Sequence, residues 1–218
     1  MNIFVVIPAY NEATVVGRTV SDVRKYCSSV VVVDDGSDDE TGKTAEASGA
    51  KVLRHIINRG QGAALRTGID YALSLGADII VTFDADGQFV AAEIEKICGP
   101  LMAGDADIVL GSRFLTKNRI PFLKKIILRP AILFTRAITG LELSDTHNGF
   151  RALNRAAAEK IEIRQDRMAH SSEIIHEIAR LNLRYKEIPI AVNYTEYSRK
   201  KGQKLTGALK ILFDLIMK

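Results

Sequence analysis

Asp84, Asp86 and Gln88 occupy alternate positions in Phe83-Asp84-Ala85-Asp86-Gly87-Gln88, where the apolar run Asp78-Ile79-Ile80-Val81-Thr82-Phe83 ends. The run reads as a buried strand, and a strand sends alternate side chains to the same face. If the backbone stays extended past the strand end, these three oxygen donors converge on one hard cation, and such donors suit Mg²⁺ or Mn²⁺. A cation held by so few protein ligands keeps positions open for substrate phosphates. The chemistry suggested is transfer to or from a phosphorylated donor. Taken alone, Asp-x-Asp also serves as a turn and N-cap ahead of the helix expected near Ala91, so the rest of the chain must decide.

The elements that would position these residues alternate along the first half. Ile3–Ile7, Val30–Val33, Lys51–His55, Asp78–Phe83 and Asp107–Leu110 read as strands, with helices near 12–26, 39–48, 61–75 and 91–103. Such a βαβα series implies an α/β fold with a mainly parallel, Rossmann-like doubly wound sheet and helices on both faces. Ligands then bind beyond the carboxyl ends of the strands. Three polar loops fall on that rim: Pro8-Ala9-Tyr10-Asn11-Glu12, Asp34-Asp35-Gly36-Ser37-Asp38-Asp39, and the Asp84/Asp86/Gln88 segment. Any βα loop favours Asn, Asp, Gly and Ser, but three such loops on one rim point to a site. Gly60-Gln61-Gly62 would let a helix start close to bound phosphate, although a lone Gly-x-Gly is a weak signal.

With 218 residues, 47% of them hydrophobic, the chain can bury the core of a single domain. Its net charge of +4 conceals an asymmetry. Residues 1–112 carry nine Lys and Arg against sixteen Asp and Glu, whereas residues 113–218 carry twenty-one against ten. The acidic half suits a metal, and the basic half suits phosphates or anionic lipid headgroups. No aromatic-interleaved basic motif points to nucleic acid. Cys27 and Cys98 have neither disulfide-framework nor zinc spacing, which fits a reducing cytoplasm. The N-terminus runs straight into strand-like sequence without the pattern of a signal peptide, and no stretch approaches the roughly 20 apolar residues of a membrane span. Residues 119–138 and Leu205–Met217 are amphipathic; the first is strongly basic, and both fit either core-facing helices or segments lying on a membrane surface.

With these loops in place, the chain resembles the family-2 glycosyltransferases of GT-A fold, most closely their dolichyl- and polyprenyl-phosphate hexose synthase branch. The residues that carry the resemblance are Pro8-Ala9-Tyr10-Asn11-Glu12, Val33-Asp34-Asp35-Gly36-Ser37, Asp84-Ala85-Asp86-Gly87-Gln88, Gly111-Ser112-Arg113-Phe114, Asp145-Thr146-His147-Asn148-Gly149-Phe150-Arg151 and Glu187-Ile188-Pro189-Ile190. The resemblance implies one GT-A domain over 1–218, with a nucleotide-sugar and metal half at 1–112 and an acceptor half at 113–218. It also implies an inverting, metal-dependent transfer of a hexose from a nucleotide-diphosphate sugar, of the GDP-mannose or UDP-glucose type, to a polyprenyl phosphate. The enzyme would work as a peripheral protein at the cytoplasmic face of the membrane, with a separate integral membrane subunit as a candidate partner.

Residue by residue, the resemblance implies that Pro8, Tyr10, Glu12 and Asp35 frame the donor's base and ribose. Asp84, Asp86 and Gln88 would hold Mg²⁺ or Mn²⁺ against the diphosphate, and Arg113, Arg129 and Arg151 would meet the acceptor phosphate. Asp145 would be a general base or an acceptor-positioning carboxylate, with Asp86 and Arg113 also in the catalytic set. Arg199 and Lys201, in the basic segment Tyr197–Lys204, would close on the donor diphosphate. Two departures from the branch stand out: Gln203-Lys204-Leu205 where relatives often have Ser then Lys after the glycine, and Phe89-Val90 where they often have His-Pro. Other readings are transfer to a sugar hydroxyl, a nucleotidyltransferase, which would need a glycine-rich basic signature after the first strand, and a non-catalytic nucleotide-sugar-binding subunit.

Overall fold

Runs of Val and Ile, whose branched side chains suit a pleated surface, build one sheet from seven strands: β1 (Ile3–Ala9), β2 (Ser29–Asp34), β3 (Lys51–Arg54), β4 (Ile79–Thr82), β5 (Ile108–Ser112), β6 (Arg151–Asn154) and β7 (Tyr185–Pro189). This computed structural model describes residues 1–116, 132–133, 135–146 and 148–193. Among the described residues the principal helices are α1 (Val16–Val23), α2 (Thr41–Ala47), α3 (Gln61–Ser74), α4 (Ile94–Met102), α5 (Arg155–Lys160) and α6 (His170–Arg180). The five expected strands are all present. The first helix begins at Val16 rather than near residue 12 because Asn11 takes a left-handed φ of 53°. The chain then turns before its first helical hydrogen bonds, and Val16 N–H donates to the Glu12 carbonyl at 2.9 Å.

Strand order is β3-β2-β1-β4-β6-β5-β7. β1 pairs in parallel with β2 and β4, and β2 with β3, which is the doubly wound pattern expected. β6 departs from the simple series. It enters from the basic half of the chain, runs antiparallel to both β4 and β5, and separates them. Its register sets Thr82 opposite Arg151, so the beginning of β6 lies beside the end of β4. That reversal carries the loop before β6 onto the same rim as the loops that follow β1, β2, β4 and β5.

Alternation along the strands fills two layers. Val5, Ile7, Ile79 and Val81 pack with α1 and α4 on one face, while Val6 and Ile80 pack with α3 and α6 on the other. α3 lies close because Gly68 has no side chain: a Cβ there would sit 2.3 Å from Val6 Cγ1 and 3.1 Å from Val33 Cγ2. Ala is the better helix former by about 1 kcal/mol, yet forcing a methyl into a packed core costs about 1–3 kcal/mol. Packing should win, so Gly68→Ala is expected to lower the midpoint of thermal unfolding by several degrees. An unchanged or raised midpoint in a calorimetric scan would show that the helix has room to move away.

Candidate active site

The loops after β1 and β2 clasp each other through short polar side chains. Asn11 N–H donates to Ser37 Oγ at 3.0 Å, Asp38 N–H to Asn11 Oδ1 at 2.9 Å, Glu12 N–H to Thr41 Oγ1 at 2.7 Å, and Ser37 N–H to Asp34 Oδ1 at 2.9 Å. Asp35 follows β2 and is buried, with its N–H on the Ala9 carbonyl at 2.8 Å. Its carboxylate gathers the loop after β3: His55 Nδ1 at 2.7 Å, Arg59 N–H at 2.9 Å and Gly60 N–H at 2.6 Å. Of the expected donor-framing residues, Pro8 lies buried within β1, Glu12 is buried beyond it, and Tyr10 is exposed on the rim between them.

After β4 the backbone does not stay extended. Residues 85–87 turn, and Gly87 has a left-handed φ of 72°, a conformation open to glycine at little cost. Strand alternation therefore does not align Asp84, Asp86 and Gln88. The turn brings Gln88 back onto Asp86, with Gln88 N–H on Oδ1 at 3.0 Å and Gln88 Nε2 on Oδ2 at 2.5 Å. Gln61, at the start of α3, donates to Asp84 Oδ1 at 3.0 Å. Gly149 leaves space beside the same carboxylate, since a Cβ there would lie 2.9 Å from both Asp84 oxygens. Phe83, Phe89 and Phe150 close under the turn with ring centroids 5.2–5.5 Å apart. The departure at Phe89 thus has a packing role here: its ring stacks on Phe150, and its backbone bridges to Val192.

Burial, reinforced by the Asp86 charge, raises the pKa of Asp84 to about 7 against the opposing pull of Arg151, Arg113 and the Gln61 amide. Two carboxylates that repel each other across a rim, with an amide beside them, are a donor set that a divalent cation would relieve. The residues present therefore fit Mg²⁺ or Mn²⁺. Among the described residues no group of three His, Cys, Asp or Glu converges, so a bound metal would need further oxygens from substrate or water.

Beside this pair lies a fixed cation. Arg113, just past β5, forks onto Asp145 with Nε on Oδ2 at 2.7 Å and Nη2 on Oδ1 at 2.8 Å, and its N–H reaches Oδ2 at 3.1 Å. Such paired, charge-assisted bonds are the strong kind. The Arg113 side chain keeps 16% of its surface exposed against 1% for Asp145. Glu187, on β7, holds the Asp145 loop from behind by accepting from Ser144 N–H at 2.8 Å and Asp145 N–H at 3.1 Å. Burial pushes the Glu187 carboxyl upward despite those bonds.

Arg151, expected at the acceptor, is placed inside the sheet on β6 at 1% exposure, and neither of its terminal guanidinium nitrogens has a hydrogen-bond partner among the described residues. Burial lowers its pKa to about 10, while the charges of Asp84 and Asp145 hold it up. It stands behind both carboxylates as a buried positive charge. The rim thus brings together Asp35, Asp84, Asp86, Gln88, Arg113 and Asp145. Arg129, Arg199, Lys201 and most of the two amphipathic segments lie outside the described residues.

Several residues that build the site were not singled out from the sequence: His55, Gln61 and Gly149 for their contacts, and Glu187 as a cap. Gln61, Gly149 and Glu187 sit in motifs marked in the sequence, so spacing flagged their neighbourhood without disclosing their targets. Nothing local marks His55, whose partner is twenty residues away.

The family model described as Glycosyl transferase family 2 matches residues 4–162. The chain is 31% identical to the UDP-N-acetylglucosamine–dolichyl-phosphate N-acetylglucosaminyltransferase of Methanococcus voltae, covering 99% of this chain and 95% of that protein. It is also 31% identical to the polyprenol monophosphomannose synthase of Mycolicibacterium smegmatis, covering 94% and 81% respectively. Among solved structures, glucosyl-3-phosphoglycerate synthase from Mycobacterium tuberculosis, in complex with Mn²⁺ and UDP-glucose, superposes with a TM-score of 0.75 over 99% of this chain and 76% of that one, at 20% identity.

Proposed function

We infer the reaction from one premise: this chain belongs to glycosyl transferase family 2, and its fold is that of the GT-A glycosyltransferases. The reading is transfer of a hexose from a nucleotide-diphosphate sugar to a polyprenyl phosphate, with inversion at the anomeric carbon and release of the nucleoside diphosphate. The observation that carries it is the pairing, on one rim, of the Asp84/Asp86 carboxylates with the Arg113 guanidinium fixed by Asp145. One half suits a metal-bound diphosphate, and the other suits a second phosphate. Relatives named for dolichyl-phosphate and polyprenol acceptors point the same way.

In this reading Asp84 and Asp86 would hold Mg²⁺ or Mn²⁺, with Gln88 orienting Asp86 or joining it, and a cation bound there would supply charge stabilisation for a diphosphate leaving group. Arg113, held by Asp145 with its side chain partly exposed, would present its guanidinium to the acceptor phosphate, with Asp145 and Glu187 as positioning residues behind it. A phosphate acceptor is already ionised at neutral pH, so no strong base is required and catalysis rests on in-line positioning and leaving-group stabilisation. The phosphate oxygen forms a bond to the anomeric carbon as the bond to the diphosphate oxygen breaks. Arg151 supplies a buried positive charge to Asp84 and Asp145. Arg129 would join Arg113 at the acceptor, and Arg199 and Lys201 would meet the donor diphosphate.

Among the described residues no helix is long and apolar enough to cross a membrane. The lipid acceptor would then be met at a surface on the cytoplasmic side, through the basic amphipathic segments or a separate membrane subunit. The test is turnover of a panel of nucleotide sugars with short-chain polyprenyl phosphate and Mn²⁺ or Mg²⁺, followed by lipid product and nucleoside diphosphate. Metal-dependent lipid-linked sugar is expected. Donor hydrolysis without lipid product would move the acceptor to a hydroxyl, and absence of turnover with every donor would sink the reading.

A further inference from the structure

The Asp35 carboxylate is unusually committed to its own protein. A carboxylate has about four acceptor positions, two on each oxygen. Here Oδ1 accepts from both His55 Nδ1, at 2.7 Å, and Arg59 N–H, at 2.9 Å, while among the described residues Oδ2 accepts from Gly60 N–H alone, at 2.6 Å. A single position therefore remains, on Oδ2. We propose that this one remaining acceptor selects the nucleobase of the donor: it matches a base that offers a lone ring N–H, as uracil does, and rejects guanine. The proposal rests on the nucleotide-sugar reading above and on Asp35 as the acceptor for a ring N–H.

Guanine presents two adjacent donors, N1–H and N2–H₂, that pair with both oxygens of a carboxylate at once. At Asp35 the second of these would meet an oxygen whose positions are filled by His55 and Arg59, so donor would face donor and a buried polar group would go unsatisfied. Uracil presents N3–H singly and needs only Oδ2.

The arrangement is held in place before any ligand arrives. His55 is tied at its other end, with Nε2 3.0 Å from Thr67 Oγ1 on α3, and its side chain is 11% exposed. With Nδ1 donating to the carboxylate, the ring is held between Asp35 and Thr67. The loop after β3 is pressed onto the Asp35 turn at Gly36, whose φ is 72° and where a Cβ would lie 2.7 Å from the Ile57 carbonyl carbon. The three donors therefore have little freedom to swing away and admit a two-pronged base. His55 is accordingly a specificity-determining residue that acts through Asp35.

The test is calorimetric titration of the full chain with UDP and with GDP, each with Mn²⁺, which reads base selection without depending on turnover. UDP is expected to bind about tenfold or more tightly, the scale of one mismatched paired base contact. His55→Leu empties a position on Oδ1 and should narrow the UDP to GDP ratio, whereas His55→Gln, which keeps an N–H donor, should preserve it. GDP binding as tightly as UDP to the unaltered chain overturns the proposal and leaves the glycosyltransferase reading standing. An unchanged ratio in folded His55→Leu overturns the role of His55. Failure of both nucleotides to bind with metal present defeats the nucleotide-sugar reading itself.

Discussion

Asp86→Ala is expected to lower transfer about a thousandfold without weakening the fold. The first half of that expectation follows from what a metal held by Asp84 and Asp86 would do, since charge stabilisation at a departing diphosphate is worth several kcal/mol, and about 4 kcal/mol corresponds to about 10³ in rate. The second half follows from the site's own electrostatics. Asp86 is one of the causes that raise Asp84 to about 7, so removing it relieves a repulsion that the metal-free protein carries. Thermal unfolding of the variant without metal should therefore match or exceed that of the parent. Meanwhile the extra stability gained from Mn²⁺ together with a nucleoside diphosphate should disappear, since a ligand stabilises only the state that binds it. A variant that still gains stability from the pair, or that turns over within tenfold of the parent, would remove Asp86 from the metal site.

Asp145→Asn is expected to cost about a hundredfold in kcat/KM for the acceptor, with the donor's KM and the shape of the pH–rate profile unchanged. The carboxylate engages Arg113 through both oxygens at 2.7 and 2.8 Å. An amide can accept at only one of those points and turns an N–H₂ toward a guanidinium at the other, so the fork opens. Displacement of a substrate-positioning group by about 1 Å is enough to cost about 10²-fold. A general base behaves differently, because its loss strips a limb from the pH profile. Loss of that limb together with a far larger fall in kcat would identify Asp145 as a base and move the acceptor from a phosphate to a sugar hydroxyl.

Much of the architecture was legible because it depends on local periodicity. Alternating β-branched runs and helical segments specify strands and helices residue by residue, and the five strands of the first half appear where the pattern puts them. β6 and β7 were not read out because neither carries such a pattern. β6 places Arg151 in the middle of a sheet, and a buried arginine is invisible to a hydrophobic count. β7, Tyr185-Lys186-Glu187-Ile188-Pro189, is only partly buried at an edge and mixes charge with apolar residues.

The motifs Asp84–Gln88 and Asp145–Arg151 were visible as residue types and spacings, so the sequence by itself supplied a set of oxygen donors suited to a hard cation, while the roles of the arginines came from the family resemblance. How those groups act together was decided only in three dimensions. The antiparallel insertion of β6 brings the end of its preceding loop beside the end of β4, where Thr82 Oγ1 donates to the Gly149 carbonyl across 67 residues of chain. The left-handed turn at Gly87 converts an expected extended ladder into a Gln88–Asp86 contact. The filling of Asp35 by His55, Arg59 and Gly60 depends on a loop from a neighbouring strand. Local sequence sets backbone preference and side-chain chemistry, whereas pKa, acceptor capacity and orientation depend on which groups approach from elsewhere, and that is a property of strand order and direction.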